Sequence, residues 1–203
     1  MGRPSNKEAR RAEIVDGLRL VMAETGYERA TIADIAGAAG LAPGLVHYHF
    51  GSKEEILLAL VDALVAGAEA RIERRLARAD TPRSKLDAVI DGLLARGDDE
   101  DGVAVACWTQ IGAEAVRNAE VRGRYAAWIH TLASRLRSLF IAACHAEGLS
   151  GEGAIDAAAA LVALIEGFFQ LAATVPDAIR HGSAAAAARR MAHGLIEAQP
   201  RRS

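Results

Sequence analysis

Residues 31–53 read TIADIAGAAGLAPGLVHYHFGSK, and their punctuation predicts two short helices and the start of a third. Thr31 followed by Asp34 has the capping-box spacing, in which two side chains satisfy each other's free backbone amides. Ile32, Ile35, Ala36 and Ala39 recur at helical spacing and form one apolar side. Gly40 stops this helix. Pro43 then stands in the first turn of a new one, where a missing amide costs nothing. The second helix ends near Phe50, and Ser52 with Glu55 opens another capping box. A helix, a turn at Gly40-Leu41 and a second short helix make the helix-turn-helix arrangement, whose second helix enters the DNA major groove while the first braces it. Val46 and Phe50, four apart, are expected to face inward, which leaves Leu45, Tyr48 and His49 to face outward. Thr31 and Lys53 each stand at a helix N-terminus, where amides, a hydroxyl and an ammonium can meet phosphate.

On both sides of this segment the apolar spacing stays helical, and no stretch alternates with period two, so the chain is expected to be all-α. A first helix over about 7–25 carries Ile14, Val15, Leu18, Val21 and Met22 on one side, with Gly26 as a left-handed stop, and residues 1–7 read as a basic arm. A long fourth helix follows Ser52, with Ile56, Leu57, Leu60, Val61, Leu64 and Ile72 on its stripe, and Thr81-Pro82-Arg83-Ser84 breaks it. Further helices are expected over about 84–96, 103–117, 119–147, 152–174 and 184–198, bounded by Gly97, Asn118, Gly148, Pro176 and Gly182. The acidic run at 98–101 reads as a solvated connection, since it lacks the glycine and terminal glutamate of a calcium loop.

Composition narrows the partners. The 203 residues are 51% hydrophobic, with a formal net charge of −2. Any grip on nucleic acid must therefore come from a local patch. Residues 1–53 hold seven Lys/Arg against six Asp/Glu, and the remainder holds seventeen against twenty. Cys107 and Cys144 are the only cysteines, which makes neither a disulfide framework nor a zinc-finger spacing. No N-terminal apolar run has the form of a signal peptide and no run reads as a convincing membrane span, so a cytoplasmic protein with no membrane partner is expected.

The quoted segment resembles the DNA-binding domain of the TetR family of repressors. The residues that carry the resemblance are Thr31, Ile35-Ala36, Ala39-Gly40, Gly44, Tyr48-His49-Phe50 and Lys53, within a match over about residues 8–60. It implies a three-helix DNA-binding domain at 1–53 and a larger helical effector-binding and dimerisation domain at 54–203. It also implies phosphate contacts at Thr31, His47 and Lys53, and base-facing positions at Ala42, Pro43, Leu45 and Tyr48. Gly44 and His49 lie in the same recognition segment. The family usually has Tyr where this chain has His47, and often Ser or Thr where it has Ala42. Ala42 forfeits a cap worth roughly 1 kcal/mol. No Arg, Asn or Gln lies between Leu41 and Phe50, so base discrimination is expected to rest on thymine methyls, Tyr48 and DNA shape.

Residues 152–174 are apolar nearly all round, which requires burial on both sides. The resemblance implies that they and residues 184–198 pair with their copies in a homodimer over about 152–198, reading a palindromic double-stranded operator with helices ~34–36 Å apart. The middle helices of the family enclose an effector pocket, for which Trp108, Gln110, Ile111, Trp128, Phe168 and Phe169 are candidates. Trp128 also falls on the stripe Val121, Tyr125, Leu132, Leu136, Leu139, and for each of these candidates taken singly a core position is the commoner role. Glu166 is a carboxylate in an apolar helix, and a buried charge needs a partner. The layout here resembles the choline-responsive BetI subgroup, and an aromatic cage with a carboxylate suits a quaternary ammonium.

Other classes have less support. Cys144 and His145 are neighbours on a helix and point apart, so they make no nucleophile-base pair, and no catalytic phosphate loop, HExxH or GxSxG appears. No catalytic residue, cofactor or metal is expected. A metal sensor would need Cys107, Cys144 and His145 to converge. An architectural DNA binder would need a charge-rich surface, which the chain lacks.

Overall fold

A computed structural model describes residues 6–95 and 102–202. Residues 1–5 of the expected arm, Gly97 and the acidic run 98–101 lie outside the described residues. Among the described residues there are nine α-helices and no strand: α1 (Asn6–Thr25), α2 (Ile32–Ala38), α3 (Pro43–His49), α4 (Lys53–Leu76), α5 (Pro82–Leu94), α6 (Gly102–Glu114), α7 (Ala119–Ala146), α8 (Ala154–Thr174) and α9 (Ser183–Glu197). A single 3-10 turn, Pro176–Ala178, separates α8 from α9. The ends fall within a few residues of those the sequence predicts, because local caps set them. Gly26 and Gly40 both take positive φ, 85° and 66°. The Leu41 amide then closes on the Ala36 carbonyl at 2.9 Å, which finishes α2.

The chain packs as two units. Of the described residues, the first comprises 6–64 and 102–125, the second 65–95 and 126–202. In the first, Ile14, Leu18 and Met22 of α1 are fully buried with Ile35 of α2, Val46 of α3 and Ile56 and Leu57 of α4. Helix α1 lies unusually close to α2. A Cβ on Gly17 would stand 2.6 Å from the Ile35 carbonyl oxygen, so this crossing requires glycine. Helix α6 packs against α1. Asn118 caps α7 by accepting from the amides of Glu120 and Val121, at 2.9 and 3.1 Å, and donates to Glu54.

In the second unit, α5, α8 and α9 pack on one another. Ile72, Leu86, Ile90, Leu136, Phe140, Ile165 and Ile196 are fully buried there. Arg83 on α5 makes two 2.7 Å contacts to the Glu147 carboxylate, and Arg189 and His193 of α9 meet Asp91 and Asp87 of α5. Helix α8 buries one side only. Ile155 is 60% exposed and Leu171 41%, with Met191 of α9 at 54%. By length and mean hydropathy (1.7) α8 would also pass as a membrane span, with 28% of that window buried.

Candidate nucleic-acid interface

Helix α3 divides its residues sharply. Val46 is fully buried and Phe50, which closes the helix by donating its amide to the Val46 carbonyl at 2.9 Å, is 2% exposed. Ala42, Pro43, Gly44 and His47 are exposed, Leu45 is half-buried, and Tyr48 is 78% exposed. Ala42 has the extended backbone of an N-cap but no capping side-chain bond, as its methyl group dictates. The outward surface is thus short, neutral and built on one buried face.

His49 corrects the sequence reading. It is 9% exposed, not outward. Three residues past Val46, it shares the inward face with Val46 and Phe50. Its ring meets Tyr48 edge-on at 5.1 Å, and its Nδ1 is buried without a hydrogen-bond partner. Its carbonyl accepts from Arg11, whose guanidinium also lies 3.8 Å from the Phe50 ring centroid. Sequence reasoning missed Arg11, since a contact 38 residues away leaves no local signal. Arg11 satisfies an end-of-helix carbonyl and packs on the Phe50 ring at the point where α3 stops.

The two helix-start candidates differ. Thr31 and Asp34 form the full capping box: the Asp34 amide donates to the Thr31 hydroxyl at 3.1 Å, and the Thr31 amide and hydroxyl donate to the Asp34 carboxylate at 3.0 and 2.6 Å. These bonds hold the Asp34 carboxyl below its ordinary range. A phosphate gains the Thr31 hydroxyl proton only if Asp34 gives it up. Lys53 is engaged within the protein. Its ammonium donates to the carbonyls of Tyr27, Glu28 and Ala30, at 2.9, 3.2 and 2.9 Å, and does not project as a free cation. The reason is proximity: the carbonyl-rich turn after α1 lies beside the first residue of α4. At Ser52 the cap also departs from the expected form. The Glu55 amide donates to the Ser52 hydroxyl at 3.1 Å, while the longer Glu55 side chain reaches past Ser52 to the Gly51 amide at 2.7 Å.

The effector candidates fall into two groups. Trp108, Gln110 and Ile111 belong to the first unit. Trp108 lies against Tyr125 with ring centroids 5.0 Å apart and planes tilted by 32°, and Ile111 is fully buried. The Gln110 amide bridges the end of α1, donating to the Met22 carbonyl at 2.9 Å and accepting from the Tyr27 amide at 3.1 Å. Trp108 and Ile111 are packed inside this unit, while Gln110 also lines a cavity of about 390 Å³ beside Tyr27 and Glu114. In the second unit Trp128 is core, 7% exposed on its stripe. Phe168 and Phe169 line a cavity of about 480 Å³ together with Leu94, Asp177, Arg180 and His181. Glu166 is half-buried on the same helix and is not among the lining residues. The polar lining comes from the connection after Pro176, which the sequence marked only as a boundary. Cys107 donates to the Arg19 carbonyl at 3.2 Å, and among the described residues no group of three metal-ligating side chains gathers.

Comparison with known proteins agrees with this geometry. Residues 14–60 match the family model described as bacterial regulatory proteins, tetR family, and residues 82–197 match the BetI-type transcriptional repressor, C-terminal. The HTH-type transcriptional regulator BetI of Rhizobium meliloti is 32% identical over 153 residues, covering 75% of this chain and 74% of its own. BetI of Paraburkholderia xenovorans is 33% identical over 168 residues, covering 80% and 81%. Among solved structures, a transcriptional regulator from Saccharomonospora viridis, crystallised in complex with choline, superposes with a TM-score of 0.79. It is 24% identical and covers 97% of this chain and 100% of its own, which shows a shared fold. The chain belongs to the TetR family of bacterial regulatory proteins, with a BetI-type repressor C-terminal region, and is a DNA-binding transcriptional regulator.

Proposed function

We propose that this regulator is a cytoplasmic homodimeric repressor that grips a palindromic operator and releases it when a small organic cation binds the second unit. The observation that carries the DNA part is the division of α3: Val46 and Phe50 are buried while Tyr48 is 78% exposed. On this reading Ala42, Pro43, Gly44, Leu45 and Tyr48 face base edges, while Thr31, His47 and the start of α4 at Lys53 face phosphates. Residues 1–53 form the DNA-binding part and 54–203 the sensing and dimerising part. The unburied side of α8, continued by Met191 of α9, supports a second copy packing there, because apolar surface of that kind is covered in a stable protein.

The effector reading rests on the cavity. Phe168 and Phe169 offer aromatic faces and Asp177 a carboxylate, the chemistry that holds a quaternary ammonium. Similarity to BetI-type repressors, and to a regulator solved with choline, supports that class. Release is then a population shift, and the effector weakens operator binding only by its differential affinity for the two states.

Selection of bound sequences from a random DNA pool tests the first half. A palindrome is expected, and Leu45→Ala with Tyr48→Ala should relax its sequence. Unchanged preference with uniformly weaker binding would refute base reading by this face. Fluorescence anisotropy on the selected operator tests the second half. Choline should lower the affinity, and Phe168→Ala should abolish the response. Choline that binds tightly yet leaves operator affinity unchanged would refute the effector reading.

A further inference from the structure

Only three lysines occur in the chain, Lys7, Lys53 and Lys85, and Lys53 is spent internally. An ammonium carries three hydrogen-bond donors. Lys53 directs its Nζ at three carbonyl oxygens, of Tyr27, Glu28 and Ala30, at 2.9, 3.2 and 2.9 Å, and stands 4.5 Å from the Tyr27 ring centroid. All three carbonyls belong to the connection between α1 and α2. Ala30, the last of them, is 2% exposed and immediately precedes Thr31, the cap of α2. The side chain therefore ties the first residue of α4 to the point where the chain enters the helix-turn-helix.

We infer that Lys53 is a positioning residue for operator binding: its ammonium fixes α2 against the start of α4 and makes no phosphate contact. A phosphate contact at this position comes instead from the backbone amides that open α4. The cage suits the ion, because backbone carbonyls supply partial negative charge at the end of α1 and the aromatic ring supplies more. Moving the ammonium to a phosphate would leave the Glu28 and Ala30 carbonyls to find other donors, while the Tyr27 carbonyl keeps the Ala30 amide at 3.2 Å. An ammonium held this way displaces no counterion from DNA, so it adds nothing to the salt dependence of binding. The inference rests on the Ala42–Tyr48 face being the one turned to DNA.

Acetylation footprinting of the full-length protein tests it, using an acetyl N-hydroxysuccinimide ester and mass spectrometry, with and without the selected operator. Lys53 should react more than about tenfold more slowly than exposed Lys7 and Lys85, as three hydrogen bonds to the ammonium must open first. Its rate should not change when DNA is added. Lys53 reacting as fast as Lys85, whether or not DNA then protects it, would overturn the inference. Salt titrations supply a second measurement. Lys53→Met should weaken operator binding about tenfold and lower the melting temperature of the free protein, with the slope of log K against log salt unchanged. Loss of a phosphate contact would instead flatten that slope by about 0.9 with the melting temperature unmoved. Lys53→Arg keeps the charge but cannot point a planar fork at three converging carbonyls, so it should behave like Lys53→Met; wild-type affinity in it would also overturn the inference. Should neither variant fold, the wild-type footprint decides. Failure of Tyr48→Ala to alter operator preference would sink the DNA-facing reading while leaving the slow reaction of Lys53 in free protein intact.

Discussion

Replacing Gly17 by alanine tests the closest helix crossing in the DNA-binding part. The new methyl would lie 2.6 Å from the Ile35 carbonyl oxygen, 3.2 Å from Ala39 Cβ and 3.3 Å from the Ala39 amide nitrogen. Ordinary contact begins near 3.4 Å, so α1 must withdraw from α2 by several tenths of an ångström against backbone that cannot rotate away. Overpacking of this kind costs about 1–3 kcal/mol, and the rigid neighbour argues for the upper half of that range. Alanine returns about 1 kcal/mol of helix propensity. The net loss is about 1.5 kcal/mol, or roughly 3–6 °C in melting temperature for a chain of this size. Gly37→Ala in α2 is the control, because an added Cβ there meets nothing within 4 Å. It should raise the midpoint by about 2–4 °C from propensity alone. Thermal unfolding followed by circular dichroism reads both. A Gly17→Ala protein melting at or above wild type would refute the argument, and operator affinity measured in parallel should fall as α2 is displaced.

Ala42→Ser restores the missing cap of α3 and should stabilise the free protein by about 0.5–1 kcal/mol, visible as a higher urea midpoint. Thr31→Ala removes the hydroxyl bond, the larger of the two that depress the Asp34 carboxyl, and leaves the bond from the backbone amide of residue 31, so the titration midpoint, followed by carbon NMR, should rise part of the way toward 3.8. Because the folded carboxyl is depressed, its stabilising share is present above pH 3.8 and lost as pH falls through the lowered value; the variant should lose the hydroxyl's part of that share at neutral pH and be less sensitive to acid over that window. Leu171→Glu with Met191→Glu places charges on the unburied side of α8 and α9 and should give monomers by sedimentation velocity, with operator affinity falling in step.

What the sequence made legible was local. The Thr31-Asp34 box, the stops at Gly26 and Gly40, Pro43 in a first turn and the inward pair Val46 and Phe50 all act over three to five residues, and each was readable from spacing. His49 lies on the inward face because in a helix of seven residues that face repeats at three as well as four, so Val46 is followed inward by both His49 and Phe50. Lys53 and Gln110 were not legible in this way. Their partners lie 23–26 and 83–88 residues away, and a polar side chain that spends its donors on backbone oxygens looks, in sequence, like one that is free to meet a ligand. Trp108 and Ile111 fit a pocket wall and a core equally well by residue type, and spacing alone does not reveal that their helix packs on α1. Asp177, Arg180 and His181 went unremarked because turn composition reveals a break and not the cavity beside it.

The bareness of Ala42 and Gly44 has a consequence for how such regulators diverge. A Cβ at Gly44 would touch nothing within 4 Å, and Ala42 is exposed and makes no side-chain bond. If these positions face base edges as proposed, they are ones that packing leaves unconstrained, so a duplicated copy can acquire a new target by point substitution at little cost in stability. Installing Asn or Arg at Gly44 is accordingly the shortest engineering route to a repressor that ignores its parent's operator.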